Sequence, residues 1–369
     1  MSKKRTIGDI ARLAGVSKAT VSRVLNDKPD VDAETRQRIL RIMQEEDFVP
    51  SITASGLARG HSRMIGALVP TFTWPFVPEI VKGVAEAIGT TTYEMVLYSV
   101  NERVSARGNG SVLDHILASN LVAGLLAIMP GQSFRHVMRL YESGFPVVLI
   151  DDQDIPPDVP WICANSRQGG YDAVCHLLEM GHRRIAHISG KPNRLCTRER
   201  YHGYCLALAE AGIPVDPSLV VEGDFEIDGG VRAAHQLFSL PLDQRPSAIF
   251  AGSDIMAYGV LKAAEQHHLH IPNDVSLVGF DDIPSASLMR PGLTTIRQPF
   301  AEMGQRATEL LLNILNTPHA YAERYRSGYE ETALHNSVGG YHAIHIQLPT
   351  SLVVRESCRS PALVQEELI

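Results

Sequence analysis

No uncharged apolar stretch of the chain approaches the ~18 residues needed to cross a bilayer, which excludes a membrane-spanning helix. Cysteine is scarce. The five present (Cys163, Cys175, Cys196, Cys205, Cys358) are odd in number, scattered and never in a Cys-x-x-Cys pair. That pattern fits reduced thiols better than a disulfide framework and leaves no zinc or redox site to read. The first residues, Met-Ser-Lys-Lys-Arg, lead into a polar helical pattern with no apolar h-region, so no signal peptide is read and a cytoplasmic location is expected. A nucleophile–base pair is also missing, and the chain is not expected to be an enzyme. Arg107-Gly108-Asn109-Gly110 does not follow a strand into a helix as a dinucleotide turn must. His267, His268 and His270 lack carboxylate or cysteine partners at ligand spacing and read as surface groups near a helix end. No cofactor and no metal are expected.

What is present is a chain of 369 residues, 44% hydrophobic and 20% charged, long enough for two or three domains. Its net charge of −7 argues against nucleic acid until the distribution is examined. Residues 1–63 hold 12 Lys/Arg against 8 Asp/Glu, a net of +4, and the remainder holds 22 against 33, a net of −11. A basic head on an acidic body is the asymmetry expected when only one end meets phosphate.

The head is organised by Thr6–Asn26, TIGDIARLAGVSKATVSRVLN. Thr6 with Asp9 reads as a helix cap and its reciprocal acid, and Ile7, Ile10, Ala11 and Ala14 follow on one face. Gly15 supplies a turn, and Ser17 caps a second helix with Val21, Val24 and Leu25 inward. Its outward groups, Lys18, Ala19, Thr20, Ser22, Arg23 and Asn26, have the size and polarity to reach base edges and phosphates in a major groove, and Thr6 and Ser17 at the helix starts are expected to touch DNA with them. The alternative is a helical hairpin with a solvated polar face. A third helix is expected from the Asp32 cap to about Glu46.

Val16, Ser17, Thr20, Val21, Ser22, Arg23, Val24, Leu25 and Asn26 resemble the helix-turn-helix of the lactose repressor (LacI/GalR) family. The resemblance implies a hinge helix after the head, ordered on DNA, with Ser51 as cap, Ala54 and Ala58 facing DNA or the partner hinge, and Leu57 as a minor-groove wedge. Ser51 and Gly56 depart from the usual hinge sequence, and a flexible linker is the competing reading.

From Met64 the pattern becomes β/α alternation. Strands are expected at 65–69, 95–100, 124–129, 146–150, 184–189, 219–222, 248–251 and 276–280, with helices at 78–88, 111–119, 134–143, 168–180, 199–211, 228–238, 254–267 and 300–315. The fold class that follows is a small all-α helix-turn-helix head plus an α/β core of two doubly wound parallel-sheet subdomains facing a cleft. The core resembles periplasmic sugar-binding proteins, as in the same family. The expected organisation is a head at 1–50, a hinge at 51–63 and a core at 64–369. Subdomain one would be about 64–163 and 298–320, and subdomain two about 164–296 and 321–358. The segment Leu293–Pro299 fits the family's return crossing, and 318–343 is an insertion the family lacks.

By match to the family, the cleft would bind its effector through Arg200 as donor to vicinal hydroxyls and Asp281 as acceptor, with Asp151, Asn165 and Ser253 nearby. Phe225 would cover a sugar ring from one side, and Trp74 and Phe76 from the other. Duller readings stand beside these: Arg200 paired with Glu199 or Asp281, Trp74 in the core, and Asp282 as a loop cap. The implied function is a homodimeric repressor of carbohydrate genes on pseudo-palindromic double-stranded DNA, relieved by a small-molecule effector, a sugar. A sugar-binding protein without a DNA role, or a regulator using a corepressor, are the alternatives.

Overall fold

The computed structural model describes residues 5–25, 28–48, 62–99, 121–151, 159–316 and 344–361. The chain divides into two units, Met1–Arg63 and Met64–Ile369.

The head contains α1 (Ile7–Ala14), α2 (Lys18–Leu25) and α3 (Ala33–Glu45). Thr6 starts α1 with a capping box: its hydroxyl oxygen accepts from the Asp9 N–H, while Asp9 accepts from the Thr6 N–H at 3.0 Å. Gly15 ends the helix at φ 65°, a left-handed turn in which glycine has no Cβ to strain. Ser17 caps α2 through the Thr20 N–H, and Asp32 caps α3 through the Thr35 N–H. Ile10, Ala11, Ala14, Val21, Val24, Ile39 and Met43 form the core, a small one whose stability is sensitive to each member.

Among the described residues, the second unit holds two six-stranded sheets. In order they are β1 (Met64–Val69), α4 (Val77–Gly89), β2 (Glu94–Ser99), β3 (Gly124–Ile128), α5 (Phe134–Glu142), β4 (Val147–Ile150) and β5 (Trp161–Ala164). There follow α6 (Ser166–Glu179), β6 (Ile185–Ser189), α7 (Leu195–Glu210), β7 (Val220–Glu222), α8 (Ile227–Phe238), β8 (Ala248–Ala251), α9 (Asp254–Gln266) and β9 (Ser276–Asp281). The last described elements are β10 (Thr294–Arg297), α10 (Phe300–Asn316), β11 (His345–Leu348) and β12 (Ser351–Val353). The first sheet has the order β11-β5-β4-β3-β1-β2 and is parallel throughout. The second has the order β12-β10-β9-β8-β6-β7, with only β12 antiparallel. In each, strand order reverses beside the first strand, and a doubly wound sheet opens a crevice at that switch point.

Three segments carry the chain between the sheets: after β5, between β10 and α10, and between β11 and β12. The Asn165 N–H donates to the Leu348 carbonyl at 2.8 Å, tying the first crossing to the last. This corrects the expected assignment of 321–358 to subdomain two. His345–Leu348 pairs with β5 in the first sheet, and only β12 belongs to the second. β5, β10 and β11 were not anticipated as strands. Four residues each are too few to show a period against their flanks. Helix 111–119, the hinge with Ser51, Ala54, Gly56, Leu57 and Ala58, and the 318–343 insertion lie outside the described residues.

Three helix pairs on the sheets touch backbone to backbone through glycine. A Cβ on Gly83 of α4 would lie 1.8 Å from the Ala301 carbonyl oxygen, and one on Gly304 of α10 would lie 2.2 Å from that of Ile80. Gly170 and Gly203 join α6 to α7 in the same reciprocal way, and Gly230 and Gly259 join α8 to α9. No side chain of any size fits these contacts.

Candidate functional site

Two surfaces carry the candidate functional groups. On the head, Lys18, Ala19 and Arg23 are exposed along α2, with Thr20 and Ser22 half-buried beside them. Arg23 faces Asp30 at 3.4 Å in an exposed pair, and the Lys18 side chain lies over Gly8 of α1. Thr6 and Ser17 have their oxygens committed to capping, which places them at the helix ends. Asn26 lies outside the described residues.

The second surface is a cavity of about 650 Å³ between the two sheets of the core. It is built from the carboxyl ends of strands, where the sheet order reverses. Met129 follows β3, Asp151 β4, Lys191 and Arg194 β6, Phe225 β7, Ser253 β8, Asp281 ends β9, and Gln298 follows β10. Seven of the eight expected effector residues line it: Trp74, Phe76, Asp151, Arg200, Phe225, Ser253 and Asp281. Asn165 does not line it. It caps α6 by accepting from the Gln168 N–H at 3.0 Å, and it sits on the first crossing instead of the wall. Met129, Asp151, Phe225 and Asp281 hold φ between 42° and 121°, although none is glycine. Such backbones cost on the order of 1–3 kcal/mol each and gather where a scaffold aims side chains.

The polar floor is a fixed constellation. Arg200, 4% exposed, donates from Nη1 to the Gly252 carbonyl. Its guanidinium lies 3.7 Å over the Phe280 ring centroid, and Nη2 stands 3.7 Å from Asp281 Oδ1. Nε is buried with no hydrogen-bond partner among the described residues. A buried donor left unpaired is costly, so it is a natural place for a ligand oxygen. Glu199 does not compete for Arg200, because it accepts from Arg167 at 2.9 Å. Gln298 donates to Asp281 Oδ1 at 2.6 Å. Asp254, fully buried behind the floor, accepts from Thr295 at 2.5 Å and from the Ile283 N–H at 2.9 Å, and burial pushes its carboxyl well up. Ser253 gives its oxygen to the Met256 N–H as the cap of α9. Asp282 is neither wall nor loop cap. It bridges Arg297 at 2.6 Å and Arg355 at 2.7 Å.

The apolar side is an aromatic wall. Phe76 stacks on Phe300 with centroids 5.2 Å apart, Trp74 tilts against Phe76 at 5.8 Å, and Phe225 stands opposite on the β7 side. Trp74 lines the cavity and also packs on the first hydrophobic core. Gln298, Phe300, Met129, Arg194 and Ile255 had not been singled out. Gln298 and Phe300 belong to the return crossing, whose sequence marks a change of direction without marking a side facing ligand. His267, expected at the surface, is half-buried against Phe238 and bonded to His235 at 2.7 Å.

Burial pushes the Asp281 carboxyl up to about 6, against the pull of Arg200 and of the Gln298 amide, and Asp151 adds to the rise. A ligand whose hydroxyls donate to the ionised carboxylate should therefore bind less tightly as pH falls through about 6. The contribution of Asp281 to stability runs the other way. Its folded value lies above its free one, so the folded state takes up the proton more readily, and this contribution is most favourable below the free value and lost as pH rises through about 6. Calorimetric titrations across that range check the first sign. Asp281→Asn should flatten the profile, and a profile unchanged in that variant would remove Asp281 from the contact.

A helix-turn-helix head on a two-lobed receptor core defines a ligand-responsive regulator of transcription. Comparison agrees. The profile for bacterial regulatory proteins of the lacI family matches residues 6–51, and that for a periplasmic binding protein-like domain matches 174–330. The ribose operon repressor of Escherichia coli (strain K12) is 37% identical over 321 residues, 86% of this chain and 96% of the relative. The lac repressor dimer bound to operator and the anti-inducer ONPF superposes with a TM-score of 0.80 at 27% identity, covering 97% of this chain and 100% of that one. A transcriptional regulator CelR–cellobiose complex superposes at 0.65 and 29% identity, covering 96% and 99%. The chain belongs to the LacI family of bacterial regulatory proteins. It is a DNA-binding transcriptional regulator with an effector-binding core.

Proposed function

We propose that this regulator is a homodimeric repressor that leaves a pseudo-palindromic operator when a sugar occupies the core cavity. The observation that carries the reading is the convergence of Arg200, Asp281 and Gln298 on one side of the cavity with Trp74, Phe76 and Phe300 on another. Polar groups that take hydroxyls in pairs, and an aromatic face for the C–H side of a ring, are what carbohydrate recognition requires. The ribose operon repressor and the cellobiose-bound CelR structure support the same ligand class. Arg200 donates to adjacent hydroxyls, Asp281 accepts from them, and Phe225 covers the ring. On the head, Lys18 and Ala19 open the recognition helix and set base preference, while Ser17, Thr20, Ser22, Arg23 and Asn26 hold bases or phosphates.

The test is a gel shift of the full chain on palindromic DNA from upstream of its own operon. A specific complex should form, and its affinity should fall about 10³-fold or more between about 50 and 200 mM salt if six or more phosphates are contacted. A sugar that raises the thermal midpoint of the protein should release that complex, and DNA should then weaken sugar binding by the same factor. Folded protein that shifts no such DNA would leave a solute-binding protein as the reading. Tighter DNA binding with sugar would make the sugar a corepressor.

A further inference from the structure

The mouth of the cavity carries positive charge that the floor does not use. Lys191 and Arg194 lie on the loop after β6, which Arg198 braces by donating to the Pro192 carbonyl at 3.2 Å. The Arg194 guanidinium sits 5.4 Å over the Trp74 ring, held in place by the aromatic face. Neither cation has a carboxylate within ion-pair distance among the described residues. The acids on the same wall are mostly answered elsewhere. Asp224 pairs with Arg232 at 2.7 Å, and Asp281 is held by Gln298 and faces Arg200. Asp151 lies on the β4 side, and Glu226 is exposed on the rim.

Arg194 is also the residue before α7, a 16-residue helix whose N-terminus no side chain caps. Its first N–H groups and the positive end of the helix dipole therefore open beside the two cations. Two buried donors of α7 are unsatisfied among the described residues: the Thr197 hydroxyl in the first turn, and Arg200 Nε, which lines the cavity. Arg200 Nε belongs to the floor; at the mouth, two cations and an open helix N-terminus stand together, with the buried Thr197 hydroxyl unpaired in the helix's first turn.

We infer that the effector carries an anionic substituent, a phosphate or a carboxylate, docked at the N-terminus of α7 by Arg194 and Lys191. The inference rests on the sugar reading of the cavity and adds the charge of the ligand to it. The floor takes the hydroxyls and the mouth takes the anion. Arg194 then exchanges its contact with Trp74 for a charge-assisted hydrogen bond.

Trp74 reports on this directly, because the only other tryptophan, Trp161, is buried in β5. Inorganic phosphate titrated at constant ionic strength should change the tryptophan emission saturably, and Arg194→Gln should abolish the change. A response that is linear in phosphate, or that survives in Arg194→Gln, overturns the inference. Calorimetry with glucose, glucose 6-phosphate and glucuronate, and with ribose and ribose 5-phosphate, supplies the second arm. A charged sugar should bind at least tenfold tighter than its neutral parent and lose that margin in Arg194→Gln. The better of the phosphorylated and carboxylated forms identifies the anion. A neutral sugar that binds as tightly as its charged twins refutes the anionic effector and leaves the sugar reading intact. A saturable phosphate response in a protein that no sugar stabilises refutes the sugar reading and leaves the anion site intact.

Discussion

Arg200→Ala is expected to silence the effector response while leaving operator binding in place. The guanidinium is held by the Gly252 carbonyl on one edge and by the Phe280 face beneath, so Nε enters any complex already oriented. Charge-assisted hydrogen bonds are worth roughly 1.5–3 kcal/mol each, and losing two of them lowers affinity about a hundredfold or more. The variant also leaves Asp281 without its neighbouring cation in a buried site, which pushes that carboxyl further toward the neutral form. Arg200→Lys keeps a charge without the planar fork and should recover only part of the loss. Thermal shift with a sugar that stabilises the wild type, alongside the operator gel shift, separates the two functions. A full response in Arg200→Ala would displace the whole polar floor from the binding role.

The second large effect is structural. A methyl on Gly203 would sit 2.2 Å from the Arg167 carbonyl oxygen and 2.5 Å from the Tyr171 nitrogen, inside the backbone of the facing helix. Alanine favours a helix by about 1 kcal/mol over glycine, but relieving this overlap means moving α7 away from α6. A net loss of about 3 kcal/mol is expected, with a fall of several degrees in the thermal midpoint. Gly89→Ala is the control. At the end of α4 nothing lies within 4 Å of an added Cβ, so that variant should be neutral or slightly stabilising. Because Arg200 is one turn ahead of Gly203 on α7, Gly203→Ala should weaken the effector as well as the fold. Equal stability of the two alanine variants would show that the α6–α7 contact is looser than its geometry.

Both effects concern residues that the sequence marks. Arg200 and Gly203 stand together in the run from Arg198 to Tyr204 (R-E-R-Y-H-G-Y), where helical spacing places them one turn apart. The head was legible for a similar reason: its caps, turn glycine and inward apolar positions all act within a few residues of one another. Strands such as Ala248–Ala251 stood out because burial on both faces leaves only apolar residues, bounded by polar turns. Asn165 was misplaced because a cap and a ligand contact draw on the same side chains at the same strand end, and only the tertiary path separates them. The aromatic wall was half-legible. Trp74 and Phe76 are adjacent in a loop, whereas Phe300 arrives from the far end of the chain. Nothing in the sequence marks Arg194, because the fold alone brings Trp74 beneath it.

The way the last strands are shared has a consequence for synthesis. β11 completes the edge of the first sheet and β12 that of the second, with only Pro349 and Thr350 between them. An emerging chain can thus form the head early, but neither half of the receptor is finished until its final segment has left the ribosome. A nascent chain stalled before residue 344 would expose two unfinished sheet edges at once, each a template for aggregation and a reason to engage a chaperone.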